Sequence, residues 1–154
     1  MSGAWTVRAP VAADYDRWRE LYGQYAAFYK VAQPDEHAER VWGWIHDPDH
    51  VVACLLAVDE SGHVVGLAHY RPFPQPLEAT TGCYLDDLFV DPAARGSGAV
   101  DALFDELVRI AREHGWDGIS WITAEDNYRA RAKYDQRARR ARWVTYELDT
   151  RATS

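Results

Sequence analysis

A chain that leaves an apolar strand, turns on two closely spaced glycines and enters an amphipathic helix has few folds open to it. This one does so between Tyr84 and His114. Tyr84 to Val90 reads as the strand and Arg95-Gly96-Ser97-Gly98-Ala99 as the turn. Val100 to His114 reads as the helix, with Leu103, Phe104, Leu107, Val108 and Ile110 largely on one side. Such a turn gathers unpaired backbone N–H groups at the positive end of a helix dipole, and Arg95 stands beside them. Those are the parts of a phosphate site.

Three readings compete for the turn. A nucleotide P-loop needs GxxxxGK[ST], which this chain lacks. A dinucleotide fingerprint needs GxGxxG, but Asp101 stands where the third glycine should be, and the units before it read as a hairpin rather than βαβ. The third reading is a glycine turn that only caps a helix.

Size and composition narrow the class. The 154 residues suit a single domain over 1–154 with one sizeable core. A net charge of -7 argues against a nucleic-acid partner and suits a cationic substrate. Cys54 and Cys83 form no CxxC pair, and two thiols in such a chain point to a reducing compartment. No apolar run reaches the roughly 18–20 residues that cross a bilayer. Met1-Ser2-Gly3-Ala4-Trp5 shows neither a basic segment nor an apolar stretch of a leader. A cytoplasmic protein without membrane partners is expected.

Along the chain, Trp5 to Arg8 reads as a strand, Asp14 to Phe28 as a helix, and Pro34 to about Ile45 as a second helix. Val51 to Val58 and His63 to Tyr70 read as a hairpin around Glu60-Ser61-Gly62. Arg71 to Thr81, with three prolines, reads as a loop. Cys83 to Val90 is the next strand. After the long helix, Gly118 to Thr123 reads as a strand, Asn127 to about Arg137 as a helix and Arg142 to Leu148 as a final strand. This order suits an α/β or α+β layer with helices on a mostly antiparallel sheet.

Tyr84-Leu85-Asp86-Asp87-Leu88-Phe89-Val90-Asp91-Pro92 followed by Arg95-Gly96-Ser97-Gly98-Ala99 resembles the acyl-CoA-binding core of the GNAT N-acetyltransferase family. The closest likeness is to its diamine (spermidine/spermine) acetyltransferase branch. Asn127, Ala130 and Tyr134 match the family's NxxAxxxY pattern, in the expected order and separation. The resemblance implies a GNAT-like central mixed sheet, splayed between strands four and five, and acetyl-CoA as co-substrate with no metal. It implies that backbone groups of Arg95, Gly96, Ser97, Gly98, Ala99 and Val100 hold the coenzyme diphosphate. Phe89 and Val90 would hold the pantetheine arm, and Asn127 would bond to it while also suiting a helix N-cap. Val100 stands where the family turn usually ends in Gly or Ala, and Ala138 where a glycine usually ends the last helix. Homodimerisation is expected from the same resemblance.

The implied reaction moves an acetyl group to a primary amine of a small molecule, such as a polyamine, a diamine or an amino-acid-like amine, within a ternary complex. Alternatives are a protein amine, another acyl group, or a non-catalytic acyl-CoA sensor. Tyr134 is the catalytic acid expected for the leaving thiolate, since an ordinary phenol pKa of about 10 keeps it protonated at neutral pH. Asp86 and Asp87 interrupt an apolar strand, and alternation places them on opposite faces. By resemblance Asp86 meets the substrate amine and passes its proton to water. Glu78 and His69 are further candidates for substrate contact or base. Tyr29, with Tyr25, Phe28 and Trp44, stands on helices that wall the acceptor site in this family; a ring face suits an ammonium ion. Pro48 between His46 and His50 argues against a helical metal pair. Both cysteines lie in apolar strands and read as core.

Overall fold

The computed structural model describes residues 4–151; Met1–Gly3, part of the segment read as lacking a leader, and residues 152–154 lie outside them. The chain divides into two compact units, Met1–Trp121 and Ile122–Ser154. The first holds β1 (Thr6–Arg8), α1 (Tyr15–Phe28), α2 (Asp35–His46), β2 (Ala53–Val58), β3 (Val64–Gln75), β4 (Thr80–Val90), α3 (Ala99–His114) and β5 (Ile119–Ser120). The second holds α4 (Tyr128–Arg137).

The five strands form one sheet in sequence order, β1-β2-β3-β4-β5. The first four are antiparallel, and β4 and β5 are parallel. The sheet is therefore mixed and mostly antiparallel, as expected. Helices cover both faces. Trp18 and Leu21 of α1 and Ala38 of α2 pack on Cys54, Leu56, Leu67 and Phe89. Residues alternating with these face α3: a side chain at Gly66 would approach Leu103 at 3.5 Å. Leu103, Phe104, Leu107, Ile110 and Ala111 of α3 are all buried, so its apolar stripe is the face that meets the sheet. Each fully buried leucine stabilises by about 1.5–3 kcal/mol.

Pairing of β4 with β5 is confined to Cys83↔Ile119 and Tyr84↔Ser120. From Leu85 to Val90 that edge of β4 has no strand beside it among the described residues. This is the splay expected between strands four and five. The strand expected over 118–123 is thus only two residues long.

Two expectations fail for physical reasons. The segment Arg71 to Thr81 is not a loop: β3 continues through Pro72 and Pro74 to Gln75 and pairs with β4 as far as Thr80. The β2 ladder ends at Tyr70, so beyond it β3 is an edge strand. Prolines two residues apart direct their missing N–H groups to one edge, and here that edge is uncovered. The strand expected over Arg142 to Leu148 does not form among the described residues. Trp143, Val144, Tyr146 and Leu148 are exposed. β-propensity measures fit to a neighbouring strand, so a segment without one does not become a strand by composition.

Candidate active site

β4 carries the chemistry. His69 pairs with Asp87 across β3–β4, but its neighbour Tyr70 pairs with Leu85. Asp86 is therefore the extra residue of a β-bulge. A bulge breaks the two-residue alternation. The result corrects the expectation that Asp86 and Asp87 face opposite ways. Asp86 bonds Arg71 and Asp87 bonds His69, and these two partners lie two apart on β3, on one face of the sheet. Both carboxylates therefore sit on the face covered by α1.

Their surroundings differ. Asp86 accepts from Arg71 Nε at 3.0 Å, and the Arg71 guanidinium lies 4.9 Å from the Tyr84 ring centre. Asp87 accepts from His69 Nδ1 at 2.8 Å and from the Tyr22 hydroxyl at 3.1 Å. Burial opposes ionisation of Asp87, but its contacts with His69 and with the Tyr22 and Tyr25 hydroxyls together outweigh it and hold its carboxyl below the usual range. Its side chain keeps 19% exposure, so solvent reaches it. Burial, then the Asp87 charge, pushes the Tyr22 and Tyr25 phenols far above their ordinary value, so both remain protonated.

His69 is not solvated. It is 1% exposed, and its Nε2 lies 3.0 Å from Trp18 Nε1, so both ring nitrogens are engaged. Tyr29 ends α1, with its ring 5.1 Å from that of Tyr25, which in turn meets Phe89. Tyr29 thus stands one turn beyond the Tyr22–Tyr25–Asp87 cluster. Glu78 is exposed in the turn of the β3–β4 hairpin, beyond roughly 20 Å of strand from Asp86, and is not brought to this cluster. Arg71, Tyr22 and Trp18 escaped sequence reading. The alternation His69-x-Arg71 opposite two aspartates was the available signal for the first.

Acid stability follows from these carboxyls. Arg8 lowers Asp14, Arg17 lowers Asp91, and the His69, Tyr22 and Tyr25 contacts lower Asp87 against its burial. A depressed folded value contributes stability in full above the unfolded value of about 4, and loses it as pH falls through the folded value. In urea unfolding, the share of stability these carboxyls supply is expected to be full above about pH 5 and to fall below about pH 4. Asp87→Asn should flatten part of that fall; an unchanged slope would remove Asp87 from the account.

The turn after β4 is anchored by α1. Arg17 donates to the Val64 carbonyl and to Asp91, both at 2.8 Å, and Asp91 accepts from Ala93 N–H at 2.9 Å in a short 3-10 turn. Gly96 and Gly98 follow with φ of +78° and +100°. Gly98 is the N-cap of α3 and no side chain caps it. Among the described residues no acceptor takes the N–H of Gly96, Gly98, Ala99 or Val100. The Ser97 hydroxyl donates to the Ala94 carbonyl, and Arg95 is exposed. This donor set suits a diphosphate.

Both thiols are buried and held protonated, which disfavours nucleophilic attack. Burial, with the charge of Asp87, pushes Cys54 far up, and burial with the charge of Asp86 pushes Cys83 up to about 11. Both are unpaired and buried. Among the described residues no group of three or more His, Cys, Asp or Glu side chains could hold a metal.

In the second unit, Asn127 caps α4: its side chain accepts from Ala130 N–H at 3.3 Å and its amide donates to Thr123 at 3.4 Å. Tyr134 is half-buried on α4, and its carbonyl accepts from Ala138 N–H at 2.8 Å. Ala138 ends the helix in extended conformation, so no left-handed cap forms there.

The mixed sheet, unpaired along its fourth strand and followed by an open glycine turn, is the architecture that the acetyltransferase resemblance implied. The sequence profile of the Acetyltransferase (GNAT) family matches residues 18–138. The chain is 30% identical over 142 residues to the D-amino-acid N-acetyltransferase HPA3 of Saccharomyces cerevisiae, covering 92% of this chain and 88% of that protein. It superimposes on a ribosomal-protein-alanine N-acetyltransferase from Brucella melitensis with a TM-score of 0.80 and 25% identity, covering 95% and 99% of the two chains. It shares the fold of the aminoglycoside N-acetyltransferase AAC(6')-Iy in complex with CoA, at a TM-score of 0.83 and 17% identity over 97% of each chain. The chain belongs to the GNAT acetyltransferase family and is an N-acetyltransferase.

No helix among the described residues is long and apolar enough to cross a membrane.

Proposed function

We propose that this enzyme transfers an acetyl group from acetyl-CoA directly to the primary amine of a small, amino-acid-like molecule, with no acyl-enzyme. The observation that carries the reading is the open row of N–H groups at Gly96, Gly98, Ala99 and Val100. These, with Arg95 and Ser97, would hold the diphosphate, and the free edge of β4 at Phe89 and Val90 would hold the pantetheine arm as an added strand. Asn127 would reach the same arm. Bound acetyl-CoA supplies an acyl group activated as a thioester. Asp86 and Asp87 draw in the ammonium ion and release its proton to water, leaving the neutral amine that attacks. Tyr134 holds a phenolic proton for the departing sulfur. One family profile runs across both units, which supports their acting as a single domain.

Charge supports the choice of acceptor. Two carboxylates and Arg71 share one face. An amino acid offers an ammonium for the carboxylates and a carboxylate for the guanidinium, and the yeast relative is a D-amino-acid N-acetyltransferase. A diamine or polyamine would meet one carboxylate already compensated by Arg71. A cytoplasmic location is supported by the two unpaired thiols; a homodimer rests on the family resemblance alone.

The test is a thermal shift with CoA and acetyl-CoA, then thiol release with D- and L-amino acids, diamines and polyamines. Amino acids are expected to lead. Arg71→Gln should raise their KM by about tenfold, the worth of one charge-assisted bond, with little effect on a simple alkylamine. Diamines outrunning amino acids would reject the acceptor assignment. Binding without thiol release from any amine would favour a non-catalytic sensor.

A further inference from the structure

Asp87 ends a chain of buried hydrogen bonds that begins on α1. Trp18 is fully buried, and an indole N–H can only donate. It lies 3.0 Å from His69 Nε2, so that nitrogen must accept. A nitrogen that accepts carries no proton. The ring proton then sits on Nδ1, which donates to Asp87 at 2.8 Å. Rotating the ring by a half-turn would put carbon where both partners need nitrogen, so the orientation is determined from two sides. The arrangement differs from a nucleophile–His–Asp relay, because the second nitrogen of His69 faces an indole in the core rather than a reacting group.

We propose that Trp18 and His69 are positioning residues: Trp18 keeps His69 in its neutral Nδ1–H form, and that N–H keeps Asp87 as the one uncompensated carboxylate that receives the acceptor amine. The inference rests on the acetyltransferase reading above for its functional half, while its tautomer half stands on geometry alone. Every other group facing Asp87 is consistent with it. Tyr22 and Tyr25 from α1 are neutral donors, and Cys54 from β2 is a neutral thiol. The cation Arg71 on β3 is taken by Asp86. Were His69 to gain a second proton, Trp18 would lose its acceptor, and an imidazolium would cancel the Asp87 charge against which the amine docks.

The test has two arms. Long-range proton–nitrogen NMR of the unmodified enzyme at about pH 7.5 should show His69 protonated at Nδ1 and bare at Nε2. Amine KM is then measured from about pH 5.5 to 8.5, the range in which a free imidazole titrates. The wild type is expected to be level. Trp18→Phe frees Nε2 to take a proton, and KM should rise about tenfold or more as pH falls through the imidazole range of about 6.5. His69→Asn, whose amide N–H stands where Nδ1–H stood, should keep the level profile; His69→Leu should raise KM at every pH. A proton on Nε2 in the wild type, or a level profile in Trp18→Phe, overturns the proposal. If no amine is acetylated, the acetyltransferase reading falls, and the NMR arm still decides the tautomer. It also decides it if Trp18→Phe does not fold.

Discussion

Gly98→Ala is expected to weaken coenzyme A binding by on the order of 10- to 100-fold, the loss of one or two charge-assisted backbone hydrogen bonds. Two causes act together. Gly98 has φ of +100° and ψ of 0°, a conformation that costs an L-residue about 1–2 kcal/mol. A Cβ there would also stand 3.3 Å from Trp5 Nε1, tighter than an ordinary contact. The residue must shift, and with it the N–H groups of Gly98, Ala99 and Val100 that begin α3. The helix itself should survive, because Leu103, Phe104 and Leu107 hold it on the sheet. Calorimetric titration with CoA, alongside far-UV circular dichroism, reads both quantities. Unchanged affinity with unchanged helicity would show that the turn does not hold the diphosphate. Gly96→Ala offers a contrast: its φ of +78° is strained too, but a Cβ there meets nothing within 4 Å.

The second large effect concerns Tyr134. Tyr134→Phe should lower kcat by at least about tenfold while leaving CoA affinity nearly unchanged, since only a hydroxyl is removed. An ordinary phenol titrates near 10 and a thiol near 8.5, so full proton transfer to a free thiolate is uphill by about 2 kcal/mol. In the proposed role the phenol would therefore help most as a hydrogen-bond donor while the carbon–sulfur bond breaks. General acids of this kind contribute about 10²–10⁴-fold. Rapid-quench measurement of a single turnover separates this step from product release. A normal single-turnover rate in Tyr134→Phe would take the residue out of the chemistry.

Much of this site was legible in the chain. The strand, glycine turn and helix from Tyr84 to His114 announce themselves because each uses a local rule: β-alternation, positive φ on glycine, and helical spacing. α1, α2, α3 and α4 fall within about one residue of the limits read from periodicity and capping. The hairpin of β2 and β3 was equally clear. The edges of elements were less so. Pro72 and Pro74 read as loop because proline opposes a central strand, yet they lie where β3 has become an edge.

The linear chain by itself determined which backbone stretch could cradle phosphate, which helices would pack, and that two acids would interrupt the fourth strand, for these depend on neighbours within a few residues. Only the tertiary structure decided which way those acids point. One extra residue at Asp86 reverses the alternation, and a bulge is a property of two paired strands rather than one. The same holds for His69: its burial and its bonds to Trp18 and Asp87 join residues 51 and 18 positions apart. The first bond arises when α1 settles on the sheet and the second when β3 pairs with β4, and no local pattern encodes either. They decide that Asp86 is compensated by Arg71 while Asp87 keeps its charge.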